Sequence, residues 1–182
     1  MKKPILMLIF LLFILSPFVL AATVQAQTSS VTLYAGEITN SQYGFGNSST
    51  TITSPGPTLT FISGQTVTVT LHNTGANPHN FAVVSTKSST GTVLWNSEIK
   101  SASNPVSPGS SASVTFTVGD PGNYYYICQI DGHVALGMWG NVIVQTAIPE
   151  FPIPLLFVFA VIAITALAAY FGKINIKPTT KL

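Results

Sequence analysis

The sequence predicts an all-β domain, either a sandwich or a barrel, with an apolar segment at each end of the chain. Through the middle, apolar and polar residues alternate with a period of two, turn residues recur at regular intervals, and the helical period of 3.6 is not found. The stretch 66–73 is the clearest example, because Val67, Val69 and Leu71 all fall on one face of a strand. We therefore expect the domain to occupy residues 27–147.

Further strands are predicted where the same pattern returns in shorter segments. They lie at 31–35, 57–61, 81–84, 111–118, 124–128 and 141–145. Turn-forming residues between Gly119 and Gly122 separate two of these strands. The segment from Ser85 to Ser113 is rich in Ser, Thr, Asn and Gly, so we expect most of it to be surface loop.

The N-terminus has the layout of a secretory signal peptide at residues 1–26. Two lysines precede an apolar run at 4–22, and small residues follow up to Ala26, after which cleavage is predicted. The alternative is an uncleaved N-terminal anchor. Export would also make Asn47, which begins an Asn-Ser-Ser sequence, a candidate for glycosylation.

The C-terminus carries an uncharged apolar run at 151–172. A helix of that length reaches the ~30 Å thickness of the hydrocarbon core of a bilayer. A short linker at 148–150 contains Glu150, and three lysines lie in the tail at 173–182. Positively charged residues stay in the cytoplasm. The sequence therefore predicts a single-pass type I protein of the cell membrane, with an extracytoplasmic domain and a cytoplasmic tail.

Two alternatives stay open for this apolar run. One is a buried core helix, although the length and the uniformly apolar character of the run favour a membrane span. The other concerns Pro149, Glu150 and Phe151, which resemble the signal preceding the C-terminal sorting helices of some archaeal surface proteins. If that resemblance holds, the helix is removed after export and replaced by another anchor.

Charge and cysteine content narrow the classes of function. Only 7% of the residues are charged and arginine is absent, whereas about a quarter is usual in soluble proteins. The domain at 27–147 carries two lysines and four carboxylates, a net charge of −2. Nucleic-acid binding needs basic clusters that neutralise phosphates, so this composition argues against a nucleic-acid-binding protein. The single cysteine, Cys128, excludes an internal disulfide.

Cys128, His133 and Met138 lie on one short predicted loop with the spacing Cys-x4-His-x4-Met. A thiolate, an imidazole and a thioether are ligands typical of copper, and a His2Cys site with a weak axial Met is the blue-copper arrangement. His79 follows Pro78, whose ring restrains the local backbone, and is predicted to supply the second imidazole. The predicted cofactor is one copper ion that cycles between Cu(I) and Cu(II).

Other interpretations of these residues are less complete. His72 lies on the predicted strand at 66–73, opposite its apolar face, and is interpreted as a surface histidine. Structural zinc prefers four firm ligands, and methionine is a poor one. Binuclear copper needs a second cysteine, and multicopper oxidases need many more histidines. A Cys–His nucleophile pair is conceivable but gives Met138 no role, so neither catalytic residues nor an enzymatic activity are predicted.

The segment from Gly122 to Val144 resembles the cupredoxin family, and most of all its rusticyanin and sulfocyanin branch, which shares the Cys-x4-His-x4-Met loop. The resemblance covers this segment closely and the strand pattern of 27–147 loosely. It implies a Greek-key β-sandwich. It also implies one type 1 copper ion with four protein ligands, namely His79, Cys128, His133 and Met138.

Two neighbours of the ligands bear on this resemblance. Asn80, directly after His79, matches the family position whose side chain and backbone tie the two ligand-bearing segments together. The resemblance therefore implies a supporting role for Asn80 beside the copper site. Asp131 stands where related members often have proline, a departure that does not touch a ligand.

The resemblance implies a one-electron carrier on the outer face of a membrane. Its partners would be redox proteins, such as a cytochrome, a quinol-oxidising complex or a terminal oxidase, that dock on the surface around His133. We expect a monomer that is attached to the membrane through its C-terminal helix. The alternative is an extracytoplasmic copper-storage or copper-delivery protein. Such proteins usually carry exposed arrays of Met and His, and this sequence has none.

Overall fold

The computed structural model describes residues 27–148 and 153–174, with helix side chains described at 157–170. The predicted signal peptide lies outside the described residues, as do most of the predicted linker and of the predicted cytoplasmic tail. The β strands belong to one compact unit, Gln25–Ile148, and the C-terminal helix belongs to a second unit. The first unit contains every predicted metal ligand.

Nine strands form two sheets in the part of the chain that the structure describes. They are β1 Thr28–Thr39, β2 Gln42–Gly46, β3 Ile52–Thr53, β4 Leu59–Ile62, β5 Thr66–Asn73, β6 Ala82–Val84, β7 Ser111–Thr117, β8 Gly122–Ile127 and β9 Trp139–Gln145. One sheet has the order β3-β2-β1-β5-β7, and the other has the order β4-β9-β8-β6. The β1–β5 and β4–β9 pairs are parallel, and the other pairs are antiparallel. The predicted sandwich of two β-sheets is confirmed.

The two sheets bury one apolar core between them. Phe45 of β2 packs against Tyr126 of β8 in an edge contact, with ring centroids 5.1 Å apart, so the sheets meet directly. The predicted inward-facing residues Val67, Val69 and Leu71 are fully buried. Burial of such aliphatic side chains contributes about 1.5–3 kcal/mol each. The period-two pattern therefore marks the face of β5 that holds the sheets together.

The antiparallel pair of β8 and β9 closes the base of the ligand loop. Ile127 lies opposite Trp139 in this pair. One step further along, the Cys128 N–H donates a hydrogen bond to the Met138 carbonyl at 3.2 Å. The two ends of the loop are therefore held together by the sheet ladder. Cys128 and Met138 cannot separate unless hydrogen bonds of the sheet break.

The sequence does not predict β2, because glycines interrupt its alternation. It does not predict β3 either, because that strand has only two residues. A Cβ atom at Gly44 would collide with the backbone of Thr53, and one at Gly46 would collide with the backbone of Thr51. Glycine usually marks a turn in a sequence. Here it permits two backbones to approach closely within a sheet.

The segment 85–113 is mostly surface loop, as expected, but two residues near its centre are buried. Ser97 and Ile99 are 0% and 1% exposed. Ile99 forms an antiparallel bridge with Phe81, and the Ser97 hydroxyl oxygen accepts a hydrogen bond from the Val83 N–H at 2.9 Å. The segment thus covers the edge strand β6 and satisfies its free backbone groups. Its polar composition conceals this, because the Ser97 side chain takes the place of a neighbouring strand.

The C-terminal unit contains the helix α1, Ile153–Ile174, in the region where the sequence predicts a membrane span at 151–172. The described side chains of α1, at 157–170, are exposed. Among the residues whose placement is fully described, no helix meets the combined length and hydropathy that a membrane span requires.

Tyr126→Phe is expected to lower the free energy of unfolding by about 1–1.5 kcal/mol. The hydroxyl of the fully buried Tyr126 donates to the Pro57 carbonyl at 2.7 Å, and the substitution removes this donor. Tyr124→Phe is the matched control, because the Tyr124 hydroxyl donates to the Asp120 carbonyl at an exposed site. Its loss should stay within about 0.5 kcal/mol. Urea denaturation measures both changes, and equal losses would contradict the expectation.

Candidate metal centre

His79 is held between β5 and β6 by hydrogen bonds on both of its backbone groups. Its N–H donates to the Val106 carbonyl at 3.1 Å, and the Val106 N–H donates back to the His79 carbonyl at 2.8 Å. The buried side chain of Asn73 donates to the carbonyls of Asn77 and Val106 at 2.8 and 2.9 Å. The backbone around His79 is therefore restrained, and the residue itself is 0% exposed.

The loop from Cys128 to Met138 consists of hydrogen-bonded turns. The Met138 N–H donates to the His133 carbonyl at 2.9 Å. Gly132 and Gly137 adopt φ angles of 79° and 95°, values that glycine accepts without a steric penalty. These turns fold the loop back on itself, so that residues separated by five positions in the sequence come together.

The structure brings His79, Cys128 and His133 into one buried cluster. One ligand atom of each residue lies within 4.8 Å of those of the other two, and Cys128 Sγ is 3.4 Å from His133 Nδ1. His133 retains 8% exposure, whereas Cys128 and Met138 are 0% exposed. The backbone of Met138 forms hydrogen bonds with the backbones of both Cys128 and His133. The four predicted ligands thus occupy one buried region, and their coordination of a metal stays a prediction.

Asn80 joins the two segments that carry the cluster. Its side-chain oxygen Oδ1 accepts a hydrogen bond from the Gln129 N–H at 2.6 Å, and its own N–H donates to Cys128 Sγ at 3.4 Å. The residue is fully buried. Asn80 therefore connects the backbone beside His79 to the backbone beside Cys128, and its supporting role at a copper site stays a prediction.

The donor atoms of the cluster fit a copper ion. Both ring nitrogens of His79 are buried, and neither has a hydrogen-bond partner in the described part of the chain. A buried polar group without a partner costs about 1–3 kcal/mol, and binding to a metal would relieve this cost at one nitrogen. A sulfur from Cys128, two imidazole nitrogens and a nearby thioether are the soft and borderline donors that copper takes. His79, Cys128, His133 and Met138 would hold the ion.

Burial also controls the protonation of the cluster. It lowers the pKa of His79 to about 4, an effect that His133 strengthens and Glu37 opposes. It raises the pKa of the Cys128 thiol to about 11, although two backbone hydrogen bonds act in the opposite direction. At neutral pH the His79 imidazole therefore offers a free lone pair. The Cys128 thiol must release its proton when its sulfur binds a metal.

Tyr43 of β2 contacts both histidines of the cluster. Its ring stacks on His133 with centroids 4.3 Å apart and an interplanar angle of 27°, and it meets His79 in an edge contact at 5.6 Å. The Tyr43 N–H also donates to the Leu136 carbonyl at 3.0 Å, so β2 supports the ligand loop. The sequence carries no signal for Tyr43, because β2 is not predicted and no local pattern links this residue to the loop.

Glu37 of β1 is a second residue of the site that the sequence does not reveal. Its Oε1 atom lies 3.9 Å from His79 Nε2, too far for a hydrogen bond but close enough for a charge interaction. Partial burial raises the pKa of the Glu37 carboxyl, but hydrogen bonds from Ala76 and Asn77 outweigh this effect and hold the pKa below its ordinary value. A lone carboxylate beyond the predicted strand at 31–35 gave no sequence signal of such a position.

His72 lies outside the cluster. It is half-buried on β5 and stacks on Tyr34 of the neighbouring β1, with ring centroids 5.2 Å apart. The two residues are direct partners in the parallel β1–β5 pair, so this contact is a cross-strand aromatic pair on a sheet surface. The structure thus agrees with the interpretation of His72 as a surface histidine.

The two-sheet fold and the buried His-Cys-His cluster with Met138 beside it correspond to a known class of protein. Residues 50–145 match the family described as copper binding proteins of the plastocyanin/azurin family. This chain belongs to that family, and its fold is cupredoxin-like. The family binds one copper ion, and copper is accordingly the cofactor of this chain.

Among curated proteins, the chain is similar to rusticyanin from Acidithiobacillus ferrooxidans, with 38% identity over 95 residues. The match covers 49% of this chain and 61% of rusticyanin, so the chain spans somewhat less than two thirds of that relative. Among solved structures, a rusticyanin variant with methionine replaced by glutamine superposes with a TM-score of 0.50 and 26% identity, covering 66% of this chain and 80% of that one. A multicopper oxidase, mgLAC, gives a TM-score of 0.52 and 25% identity over 70% of this chain and 41% of that one.

The metal-free protein is expected to lose stability as the pH falls from about 6.5 towards 4, because of His79. The unfolded chain takes up a proton near the ordinary pKa of 6.5, whereas the folded chain resists protonation until the pKa of about 4. His79 therefore contributes stability above pH 6.5, and this contribution declines by up to about 1.4 kcal/mol per pH unit below it.

Urea denaturation of the metal-free protein between pH 7.5 and 4.5 measures this slope. His79→Gln should flatten the slope in that window, because it removes the group whose pKa is lowered by burial. An unaltered slope in His79→Gln would show that other groups cause the pH dependence.

Proposed function

We propose that this chain is a one-electron carrier whose type 1 copper is held by His79, Cys128, His133 and Met138. The observation that carries the proposal is the buried cluster, in which ligand atoms of two histidines and the cysteine lie within 4.8 Å of one another. When bound, copper supplies a reversible change between Cu(I) and Cu(II). The role of this chain is to hold the ligands in one geometry for both oxidation states.

The rigidity of the ligand segments supports electron transfer over metal exchange. His79 is pinned to Val106 by two backbone hydrogen bonds, and Asn80 is bonded to the segment that begins at Cys128. Ligands that do not move when the charge of the metal changes keep the reorganisation cost of electron transfer small. A site designed to release its metal would instead need ligands that separate easily.

Burial of the site supports a carrier rather than an enzyme. Among the four proposed ligands only His133 keeps any exposure, at 8%, so the cluster offers little room for a substrate beside the metal. His133 is accordingly the proposed port through which electrons enter and leave. Ala135 and Leu136 are exposed next to it and form an apolar rim. A small apolar rim suits brief docking, since small interfaces release their partners quickly.

The proposed partners are redox proteins that meet this rim. A cytochrome, a quinol-oxidising complex or a terminal oxidase would each present a redox centre of the right chemistry. The net charge of −2 in the predicted domain at 27–147 gives only weak electrostatic steering, so we expect docking that depends little on salt. The proposed working form is a monomer.

We propose further that the domain is extracytoplasmic and is attached to the membrane through the segment 151–172. The support comes from the sequence, where the uncharged apolar run at 151–172 is long enough to cross the hydrocarbon core as a helix. The described side chains at 157–170 are apolar or uncharged and exposed, and lipid would cover them. The predicted signal peptide at 1–26 and the lysines after this run support the type I orientation.

A copper-storage or copper-delivery role is the alternative. Both roles require that copper leaves the site readily for an acceptor. The buried positions of His79, Cys128 and Met138 do not favour ready release of copper. The spectrum and the voltammogram of the copper-loaded protein distinguish the two roles.

The full-length chain, purified and loaded with copper, is expected to show an intense thiolate-to-copper absorption band in the visible range and a reversible one-electron voltammogram. Cys128→Ser should abolish the band. Met138→Leu should keep the band and raise the reduction potential, because it removes a weak donor that stabilises the oxidised ion. His72→Gln is the matched control and should change neither property.

A colourless copper complex or an irreversible voltammogram would contradict the carrier role. Rapid transfer of copper to a mild chelator, with colour lost on the timescale of mixing, would instead favour storage or delivery.

A further inference from the structure

Glu37 holds the segment that leads to His79. Its Oε2 atom accepts a hydrogen bond from the Ala76 N–H at 2.9 Å. Its Oε1 atom accepts from the backbone N–H of Asn77 at 2.9 Å and from the Asn77 side-chain amide at 2.7 Å. Three donors thus orient the carboxylate, and Gly75 leaves room for it, because a Cβ atom there would collide with Oε2.

The oriented carboxylate faces one edge of the His79 ring. Glu37 Oε1 lies 3.9 Å from His79 Nε2. Among the described residues, no other basic nitrogen lies within 4.0 Å of a carboxylate oxygen. Neither nitrogen of His79 has a hydrogen-bond partner there. The polar surroundings of the His79 ring are therefore of two kinds. Glu37 places a negative charge beside Nε2, and Cys128 and His133 are the other members of the ligand cluster.

We propose that Glu37 is a positioning residue of the metal centre, which directs the proton of His79 to Nε2, leaves Nδ1 for copper, and places a negative charge beside the oxidised ion. The inference rests on copper binding at His79, as proposed above, and does not depend on the electron-carrier role. Glu37 is not one of the four predicted copper ligands.

The proposed effect on the proton follows from the chemistry of imidazole. A neutral imidazole carries its single proton on one nitrogen and a lone pair on the other. A carboxylate stabilises an N–H that points towards it and destabilises a lone pair in the same place. The tautomer with the proton on Nε2 is therefore favoured by Glu37. Partners of this kind on histidine ligands fix the tautomer and raise the basicity of the ligand nitrogen.

The proposed effect on the metal follows from its charge. The oxidised ion carries one positive charge more than the reduced ion, so a nearby carboxylate stabilises the oxidised form and lowers the reduction potential. The Glu37 side chain is 22% exposed, and solvent screens part of this effect. The effect is nevertheless retained, because the hydrogen bonds from Ala76 and Asn77 prevent the carboxylate from turning away into solvent.

The test compares Glu37→Gln with three matched variants of the full-length chain. Glu37→Asp keeps the charge. Asn77→Ala removes the side-chain hydrogen bond to Glu37 but also keeps the charge. Asp120→Asn removes a carboxylate from the exposed turn before β8, which is about 20 Å of strand away from Cys128.

The first readout is the tautomer of His79 in the metal-free protein, measured from the 15N chemical shifts of the two ring nitrogens. We expect the proton on Nε2 in the wild type and in Glu37→Asp, and a mixture of tautomers in Glu37→Gln. The second readout is the reduction potential of the copper-loaded proteins. Glu37→Gln should shift the equilibrium between Cu(II) and Cu(I) towards Cu(I) by about tenfold. For one electron this raises the reduction potential by about 59 mV.

Glu37→Asp should retain most of the wild-type potential. Asn77→Ala should lower the stability of the protein and leave its potential near that of the wild type, and Asp120→Asn should leave both unchanged. A purely structural role for Glu37 would give the opposite pattern, with Asn77→Ala and Glu37→Gln behaving alike.

The inference is overturned if the wild-type protein carries the His79 proton on Nδ1, a result that needs no variant to fold. It is also overturned if Glu37→Gln and Asp120→Asn have the same potential. If the wild type binds no copper, the proposed function fails, and the tautomer of His79 alone decides whether Glu37 directs its proton.

Discussion

The metal centre depends on the hydrogen bonds by which Asn80 joins two distant parts of the chain. Asn80 and Cys128 are 48 positions apart in the sequence. The pairing of β6 with β8 brings Ala82 opposite Ile127, and Asn80 extends this alignment to the ligand residues themselves. The Asn80 side chain accepts from the Gln129 N–H at 2.6 Å, and its N–H donates to Cys128 Sγ. One buried residue thus joins the two ligand-bearing segments beyond the end of the sheet and donates to the sulfur that would bind copper.

Around this link, the two sheets bury the ligand side chains. This burial favours a metal ion of low charge that prefers soft ligands. Burial keeps the His79 imidazole neutral and the Cys128 thiol protonated, so the cluster gains most from an ion that can take the lone pair and displace the thiol proton. The buried nitrogens of His79 have no hydrogen-bond partner among the described residues. We therefore expect copper binding to stabilise the folded domain. The hairpin of β1 and β2 adds the remaining contacts, through Glu37 and Tyr43.

Much of this arrangement could be predicted from the sequence, and the exceptions have physical reasons. The period of two located β5, and the spacing from Cys128 to Met138 indicated copper, because both signals are local in the chain. The strand β2 was missed, since its glycines serve a close approach of backbones that no local pattern reveals. Tyr43 and Glu37 were missed for a related reason. Each reaches His79 only through the pairing of strands, and a single tyrosine or glutamate carries no sequence signal of its tertiary contacts.

We expect the scaffold to hold the ligands in place before copper binds. Crystal structures of the metal-free and the Cu(II)-loaded protein test this expectation. Cys128 Sγ and the ring nitrogens of His79 and His133 should shift by less than about 0.5 Å between the two structures, with the hydrogen bond between Asn80 and Gln129 present in both. Copper bound without His79 or Cys128, or ligand side chains that swing into place only when the metal arrives, would contradict it.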